Sequence, residues 1–345
     1  MDVSSLTQRL KINKDAVDRF ILDFLPKHSD IKEIQMLFDM MRDYPSRPSK
    51  GLRSSLCILT CESLGGDLDK ALKTAAALEV FQNWILIHDD IEDYSELRRG
   101  EPVLNRKYGI PLAINTGDAL HAKMWELLIQ NQKTLGSTKT MSIIDEFLRM
   151  INETTEGQTI ELAWVENNRW DLKEDDYFLL CNKKTSWYTC ITPCRLGATI
   201  AGAPAKKRDT FIPFGSRLGI AFQIQDDILN LKGDEQKYGK ECGGDILEGK
   251  RSLILIHLLN KANPTDRRKV LTIMSKNRCD RTSSDVEEIL KLMDKYGSIK
   301  YAKKTAETHA EEAKKLFNQI FQDAPSSESR RLLEDLIDFM ICRDW

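Results

Sequence analysis

Two short stretches of this chain place adjacent aspartates inside apolar sequence. LIHDDIED (Leu86 to Asp93) carries Asp89, Asp90 and Asp93 as D-D-x-x-D, and QIQDDILN (Gln223 to Asn230) repeats the pair as Asp226 and Asp227. Like charges side by side in an oily neighbourhood cost free energy unless a cation lies between them. On a helix, residues i and i+4 share one face about 6 Å apart, so Asp89 and Asp93 can hold metal between them. Oxygen-only ligands in this number suit Mg²⁺, which keeps several waters and bridges carboxylates to substrate phosphates. The third position of the second copy is Asn230, uncharged but able to accept a hydrogen bond from a metal-bound water. One such motif alone reads as a solvated helix end. Two copies, each inside an apolar helix and each followed by a basic or glycine-rich loop, favour the metal.

Basic residues follow a matching pattern. Arg98 and Arg99 stand in LRRGEP, just after the first acidic motif; Lys183 and Lys184 precede Thr185 in NKKTSW; Lys240 and Lys250 belong to a glycine-rich loop after the second motif. Lys50 and Arg53, in SKGLR, have K-x-x-R spacing, which predicts both on one helical face near a helix start. Arginine grips phosphate bidentately and lysine supplies point charges. One metal-bridged diphosphate does not need so many cations; two separate diphosphates do.

The elements that must position these groups read as helices. Apolar residues recur at three- and four-residue spacing in AVDRFILDFL, IKEIQMLFDMM, ALEVFQNWILI, MSIIDEFLRMI, DVEEILKLMDKY and RRLLEDLIDFMI. Alternating strand patterns are almost absent. The expectation is an all-α bundle of about ten or more helices around a central cavity. Length, 345 residues, weakly favours two domains, but no long linker or low-complexity tract interrupts the chain, so residues 1–345 are read as one domain. Irregular, polar segments follow each acidic helix, and loops on a rigid scaffold are where function tends to lie.

Bulk properties exclude other classes. A net charge of −2 gives no global basic field for nucleic acid or an acidic membrane. MDVSSLTQRL lacks the apolar core of a signal peptide, and no run of about 18 apolar residues spans a membrane. The eight cysteines are scattered; Cys57/Cys61 and Cys190/Cys194 are four apart, but nothing completes a zinc set. The cysteines are expected to be reduced and mostly buried, in a cytoplasmic protein.

The stretches SKGLRS, IHDDIEDYSELRRGEP, AINTGDAL, KKTS, LGIAFQIQDDILNL and YGKECGGDILEGKRSL occur in one order from Lys50 to Leu253. In that order the chain resembles the trans-isoprenyl diphosphate synthases, the polyprenyl synthetase family. The resemblance implies that Asp89 and Asp93 ligate two Mg²⁺ ions on an allylic diphosphate and Asp226 a third, about three ions per site with Mn²⁺ as a substitute. Asp90, Asp227 and Asp245 would support these ions, largely through waters. It assigns Arg98, Lys184 and Lys240, with Lys250 nearby, to the allylic diphosphate. Lys50, Arg53, Arg99 and Gln82 go to isopentenyl diphosphate, and Thr185 and Gln223 to the reacting carbons. The implied catalytic set is Asp89, Asp93, Asp226, Lys184, Thr185, Gln223 and Lys240, in a homodimer.

Product length should be set below the first motif. Side chains facing the same way as Asp89 going down that helix are Ile85, Trp84 and Phe81; the bulk of Trp84 suits a floor, and Ile85 leaves more room than a second aromatic. Geranylgeranyl diphosphate is the expected main product and farnesyl diphosphate the next. His88 beside Asp89 is read as supporting or packing rather than as a general base. Three departures from the family pattern are Asn230 for an aspartate, Ser49 for a glycine, and a C-terminus with only Arg343 where relatives carry a basic tail. The rival readings are a terpene cyclase, which needs one diphosphate only, and a non-catalytic subunit of a heteromeric synthase, a class that tends to lose an acidic motif.

Overall fold

The computed structural model describes residues 3–232, 243–323 and 326–342. The chain runs α1 (Val3–Phe24), α2 (Lys32–Ser46), α3 (Leu52–Ser63) and α4 (Leu68–Glu92). A short antiparallel pair follows, β1 (Leu97–Arg98) with β2 (Glu101–Pro102), and then α5 (Leu104–Tyr108), α6 (Ile110–Gln130), α7 (Gln132–Leu135), α8 (Ser137–Glu166) and α9 (Glu174–Cys181). A π-helical stretch, Asn182–Ile191, leads into α10 (Thr192–Ile200), α11 (Ala205–Asp209) and α12 (Phe211–Lys232). The remainder is α13 (Gly244–Glu248), α14 (Leu253–Lys261), α15 (Pro264–Met274), a 3₁₀ turn at Arg278–Asp280, α16 (Ser283–Lys295), α17 (Ser298–Ile320) and α18 (Glu328–Cys342). Among the described residues β1 and β2 are the only strands, so the all-α expectation is borne out.

The two acidic helices occupy the middle of the packing. Asp67 caps α4, its carboxylate accepting from Lys70 N at 2.9 Å. From Thr74 to Phe81 every residue of α4 is buried, and a helix that buries all its faces belongs inside a bundle. It packs against α3 and α6, while α12 packs against α17 and the π stretch. Phe81 is 1% exposed within the cluster formed by Leu78, Leu120 and Phe147; burying such a ring contributes about 2 kcal/mol. A second cluster gathers Ile224, Leu253, Ile289 and Met293, and a third joins Phe214, Phe317 and Leu336.

Two glycines set the position of the π stretch. A Cβ on Gly157 of α8 would stand 2.3 Å from Lys184 N, and one on Gly219 of α12 would stand 2.5 Å from Ser186 Cα. No side chain fits at either approach, so α8 and α12 clamp the π stretch between bare backbones.

One sequence expectation is corrected. Lys50 does not share a helical face with Arg53, because α3 starts at Leu52 and Gly51 caps it with φ 56°. The left-handed turn, which K-x-x-R spacing does not reveal, leaves Lys50 ahead of the helix. Cys57, Cys61, Cys181, Cys190 and Cys194 are buried and free, and Cys279 is exposed and free. Among the described residues no helix is long and apolar enough to cross a membrane.

Candidate active site

Helix α4 ends in four carboxylates: Asp89, Asp90, Glu92 and its C-cap Asp93. They lie at the negative end of the helix dipole, each costing roughly 0.3–1 kcal/mol. Local folding preferences would not choose this arrangement, so compensation must come from elsewhere in the chain. It comes from three cations on three different segments. Arg98, on β1, donates from Nε to Asp90 Oδ1 at 3.0 Å and reaches Asp89 at 3.4 Å. Lys184, on the π stretch, lies 3.5 Å from Asp89 and pairs closely with Glu161 of α8. Lys250, in the turn before α14, lies 2.8 Å from Asp93, 2.7 Å from Glu248 and 3.8 Å from Asp245. Burial opposes the charge of each of the three, and the carboxylates outweigh it: Asp90 holds Arg98 protonated, Glu161 and Asp89 hold Lys184, and Asp93 and Glu248 hold Lys250.

The second motif faces the first. Asp226 and Asp227 of α12 and Asp245 of α13 line the same cavity as Asp89, a space of about 270 Å³. Asp227 accepts from Tyr177 Oη at 2.7 Å and Gln223 Nε2 at 2.8 Å; Gln223 in turn accepts from Thr185 Oγ1 at 2.7 Å. Burial raises the Asp227 carboxyl well above the usual range, with Asp245 and Asp226 adding to the rise. Burial likewise pushes Asp93 up to about 7, with Lys250 opposing and Asp89 and Glu248 reinforcing. Carboxylates this reluctant to ionise are ones that a cation would relieve.

Among the described residues no three carboxylates, histidines or thiolates converge into a closed metal cage. The donor set still fits Mg²⁺, which takes one or two carboxylates and completes its shell with waters and phosphate oxygens. Asp89, Asp226, Asp227 and Asp245 on the cavity wall, with Asp93 behind them, are the residues that would hold it. Asp90 is not on that wall: it is fully buried between Arg98 and Tyr44 Oη, which donates to it at 2.6 Å. Asn230, expected near a metal-bound water, is 3% exposed, and its amide oxygen accepts from Asp245 N at 3.0 Å. It fixes α13 instead.

A second basic group lies beside the cavity. Arg53 is 8% exposed, stacks 4.3 Å over the Tyr188 ring and donates to Thr189 Oγ1 at 2.9 Å; Tyr188 itself lines the cavity. With its amide turned to satisfy both neighbours, Gln82 donates to Glu79 at 2.9 Å and accepts from Arg53 Nη1 at 2.8 Å. Arg99 donates to the Tyr44 carbonyl at 3.0 Å. Burial depresses its proton affinity, Glu79 opposes, and Arg98, Arg53 and Arg47 depress it further. Arg98 is matched by Asp89 and Asp90, and Arg47 by Asp43, so Arg53 and Arg99 beside the single carboxylate of Glu79 leave a local excess of positive charge, which favours an anion. The Lys50 ammonium lies 5.8 Å from the Phe339 ring of α18. Lys240 and Arg343 fall outside the described residues.

Trp84 and Ile85 line the cavity, and Phe81 packs edge-on behind Trp84 at 5.5 Å between ring centroids. His121 of α6 stacks on Trp84 at 3.9 Å. His88 meets Trp84 edge-on, above Gly117. Glu161, Gln158, Tyr177, Tyr188 and Arg251 also line the cavity without having been singled out from sequence. Glu161 and Gln158 lie on one face of α8, and that polar spacing was their only local signal.

The comparisons agree with this geometry. Residues 34–293 match the family model described as polyprenyl synthetase. A geranylgeranyl diphosphate synthase of Sulfolobus acidocaldarius is 35% identical over 296 residues, covering 85% of this chain and 87% of that one. The crystal structure of geranylgeranyl pyrophosphate synthetase from Pyrococcus horikoshii superposes with a TM-score of 0.86 at 31% identity, covering 99% and 100% of the two chains. A polyprenyl synthase from Caulobacter crescentus, solved with calcium and isoprenyl diphosphate, gives 0.86 at 26% identity over 100% and 98%. The facing acidic clusters, the cations between them and these matches together make the chain a member of the polyprenyl synthetase family.

Proposed function

We propose that the protein is a short-chain trans-prenyltransferase that condenses isopentenyl diphosphate with dimethylallyl, geranyl or farnesyl diphosphate, giving mainly geranylgeranyl diphosphate. The observation that carries the reading is that Asp89 and the Asp226–Asp227–Asp245 group line one cavity, with Trp84 and Ile85 at its apolar side.

In the proposed reaction the allylic C–O bond breaks and its electron pair leaves with pyrophosphate. The alkene of isopentenyl diphosphate attacks the allyl cation. A proton passes to pyrophosphate, leaving a chain five carbons longer. Bound Mg²⁺ supplies Lewis-acid stabilisation of the departing diphosphate. Arg98, Lys184 and Lys250, with Lys240, would hold the allylic diphosphate and meet the charge that develops on it. Each 1.4 kcal/mol of such stabilisation is worth about tenfold in rate. Arg53, Arg99, Gln82 and Lys50 would hold isopentenyl diphosphate. Thr185 and Gln223, tied to each other and to Asp227, would present fixed dipoles to the reacting carbons.

The same reading takes residues 1–345 as one cytoplasmic domain working as a homodimer. Exposed Ile114 and Ile129 on α6, and Met141 and Leu148 on α8, are apolar side chains of the kind a second copy would cover.

Product analysis tests the proposal: purified protein, Mg²⁺, labelled isopentenyl diphosphate and each of the three starters. Label in a twenty-carbon diphosphate is the expected result. Hydrocarbon from an allylic diphosphate alone would instead indicate a cyclase, and no incorporation with any starter a non-catalytic subunit.

A further inference from the structure

Arg98 and Arg99 are consecutive, yet they serve different places: Arg98 faces Asp89 and Asp90, and Arg99 faces the Arg53–Glu79 group. The turn between β1 and β2 separates them. Arg99 and Gly100 take φ 55° and 80°, the left-handed pair of a tight hairpin. Glycine suits that conformation and arginine does not, so Arg99 is strained and must be held from outside.

What holds it is the end of α2. The Tyr44 carbonyl accepts from Arg99 Nη1 at 3.0 Å, while its phenol donates to Asp90 at 2.6 Å, and Asp90 carries Arg98. Arg47 stacks 4.4 Å over the Tyr44 ring and donates to the carbonyls of Arg98 (2.8 Å), Glu101 (3.3 Å) and Pro102 (2.8 Å). Tyr44 is 1% exposed and Arg47 5%.

We propose that Tyr44, braced by Arg47, is a positioning residue that sets the allylic and isopentenyl diphosphate subsites in register, its phenol acting on Arg98 through Asp90 and its carbonyl acting on Arg99 directly. This rests on the assignment of those two arginines under the proposed function. Neither Tyr44 nor Arg47 lines the cavity.

The test separates the two arms. Tyr44→Phe removes the hydroxyl and keeps ring and carbonyl. The KM for the allylic diphosphate should rise about fivefold, the worth of one hydrogen bond, while the KM for isopentenyl diphosphate stays within about twofold. Arg47→Met releases the whole hairpin, so both KM values should rise together. A Tyr44→Phe variant that moves both KM values equally, or neither, overturns the proposal, because general loosening of the fold cannot split the substrates. If its thermal melt falls below the assay temperature, Arg47→Met decides, and unchanged KM values there overturn it. Wild-type protein that fails to incorporate isopentenyl diphosphate would refute the functional reading instead.

Discussion

Lys250 Nζ lies 2.8 Å from Asp93 Oδ2, joining the two acidic regions across 157 residues of sequence. The same ammonium lies 3.8 Å from Asp245, so one monovalent charge serves carboxylates of both clusters. It acts where a divalent ion would act more strongly.

Lys250→Met should therefore destabilise the metal-free protein by about 3 kcal/mol, because it leaves a buried carboxylate without its partner. Adding Asp93→Asn should restore part of that loss, since the two residues are coupled. Chemical denaturation of the two single variants and the double variant measures this; strictly additive losses would deny the coupling.

Trp84→Ala should lengthen the products. It opens the apolar side of the cavity and removes the ring on which His121 stacks. His121→Ala should shift product length in the same direction by a smaller amount, because Trp84 then loses its support from α6. Chromatography of the prenyl products is the readout; an unchanged distribution in both variants would remove the pair from chain-length control.

Gly157→Ala should impair turnover more than stability alone explains. Its Cβ would fall 2.3 Å from Lys184 N and must push the π stretch aside. Overpacking of this kind costs about 1–3 kcal/mol, and the displaced residue carries a cation of the site. The expected result is a kcat reduced by about tenfold or more with the protein still folded at the assay temperature. Wild-type kcat in a destabilised variant would show that the placement of Lys184 tolerates the shift.

Asp285 gives a pH prediction remote from the cavity. Its hydrogen bonds from Lys276 and the Thr282 backbone hold its carboxyl down at about 2, as part of the capping box that starts α16. A depressed carboxylate stabilises the fold above its unfolded value near 4 and loses that contribution as pH falls through about 2. The stability gap between wild type and Asp285→Asn should thus be constant near neutrality and shrink between pH 4 and pH 2. Thermal melts across that range measure it, and a gap independent of pH would contradict the pairing.

Much of this was legible in the sequence, for a physical reason. Charged residues within apolar runs have few structural uses, so Asp89 and Asp226 declared themselves, and the helical period gave the elements that carry them. Contacts made across the fold were not legible. Glu161, Tyr177 and Arg251 look like ordinary surface or core residues until the helices assemble. Lys184 could not be told from Lys183 by type; the structure turns Lys184 to the cavity and ties Lys183 to Glu153 and Glu156. Tyr44 carries no local signal, because its importance lies in two bonds to residues far along the chain.

A π turn is an α turn with one residue too many, so the Asn182–Ile191 stretch is in effect a helix carrying an insertion. Taking one residue out would let ordinary helix form and would rotate Tyr188 and Thr189 by about 100° relative to Lys184 and Thr185. A regular helix could then aim at the leaving group or at the arginine of the acceptor, but not at both. A single-codon deletion in this stretch should therefore uncouple departure of one diphosphate from capture of the other.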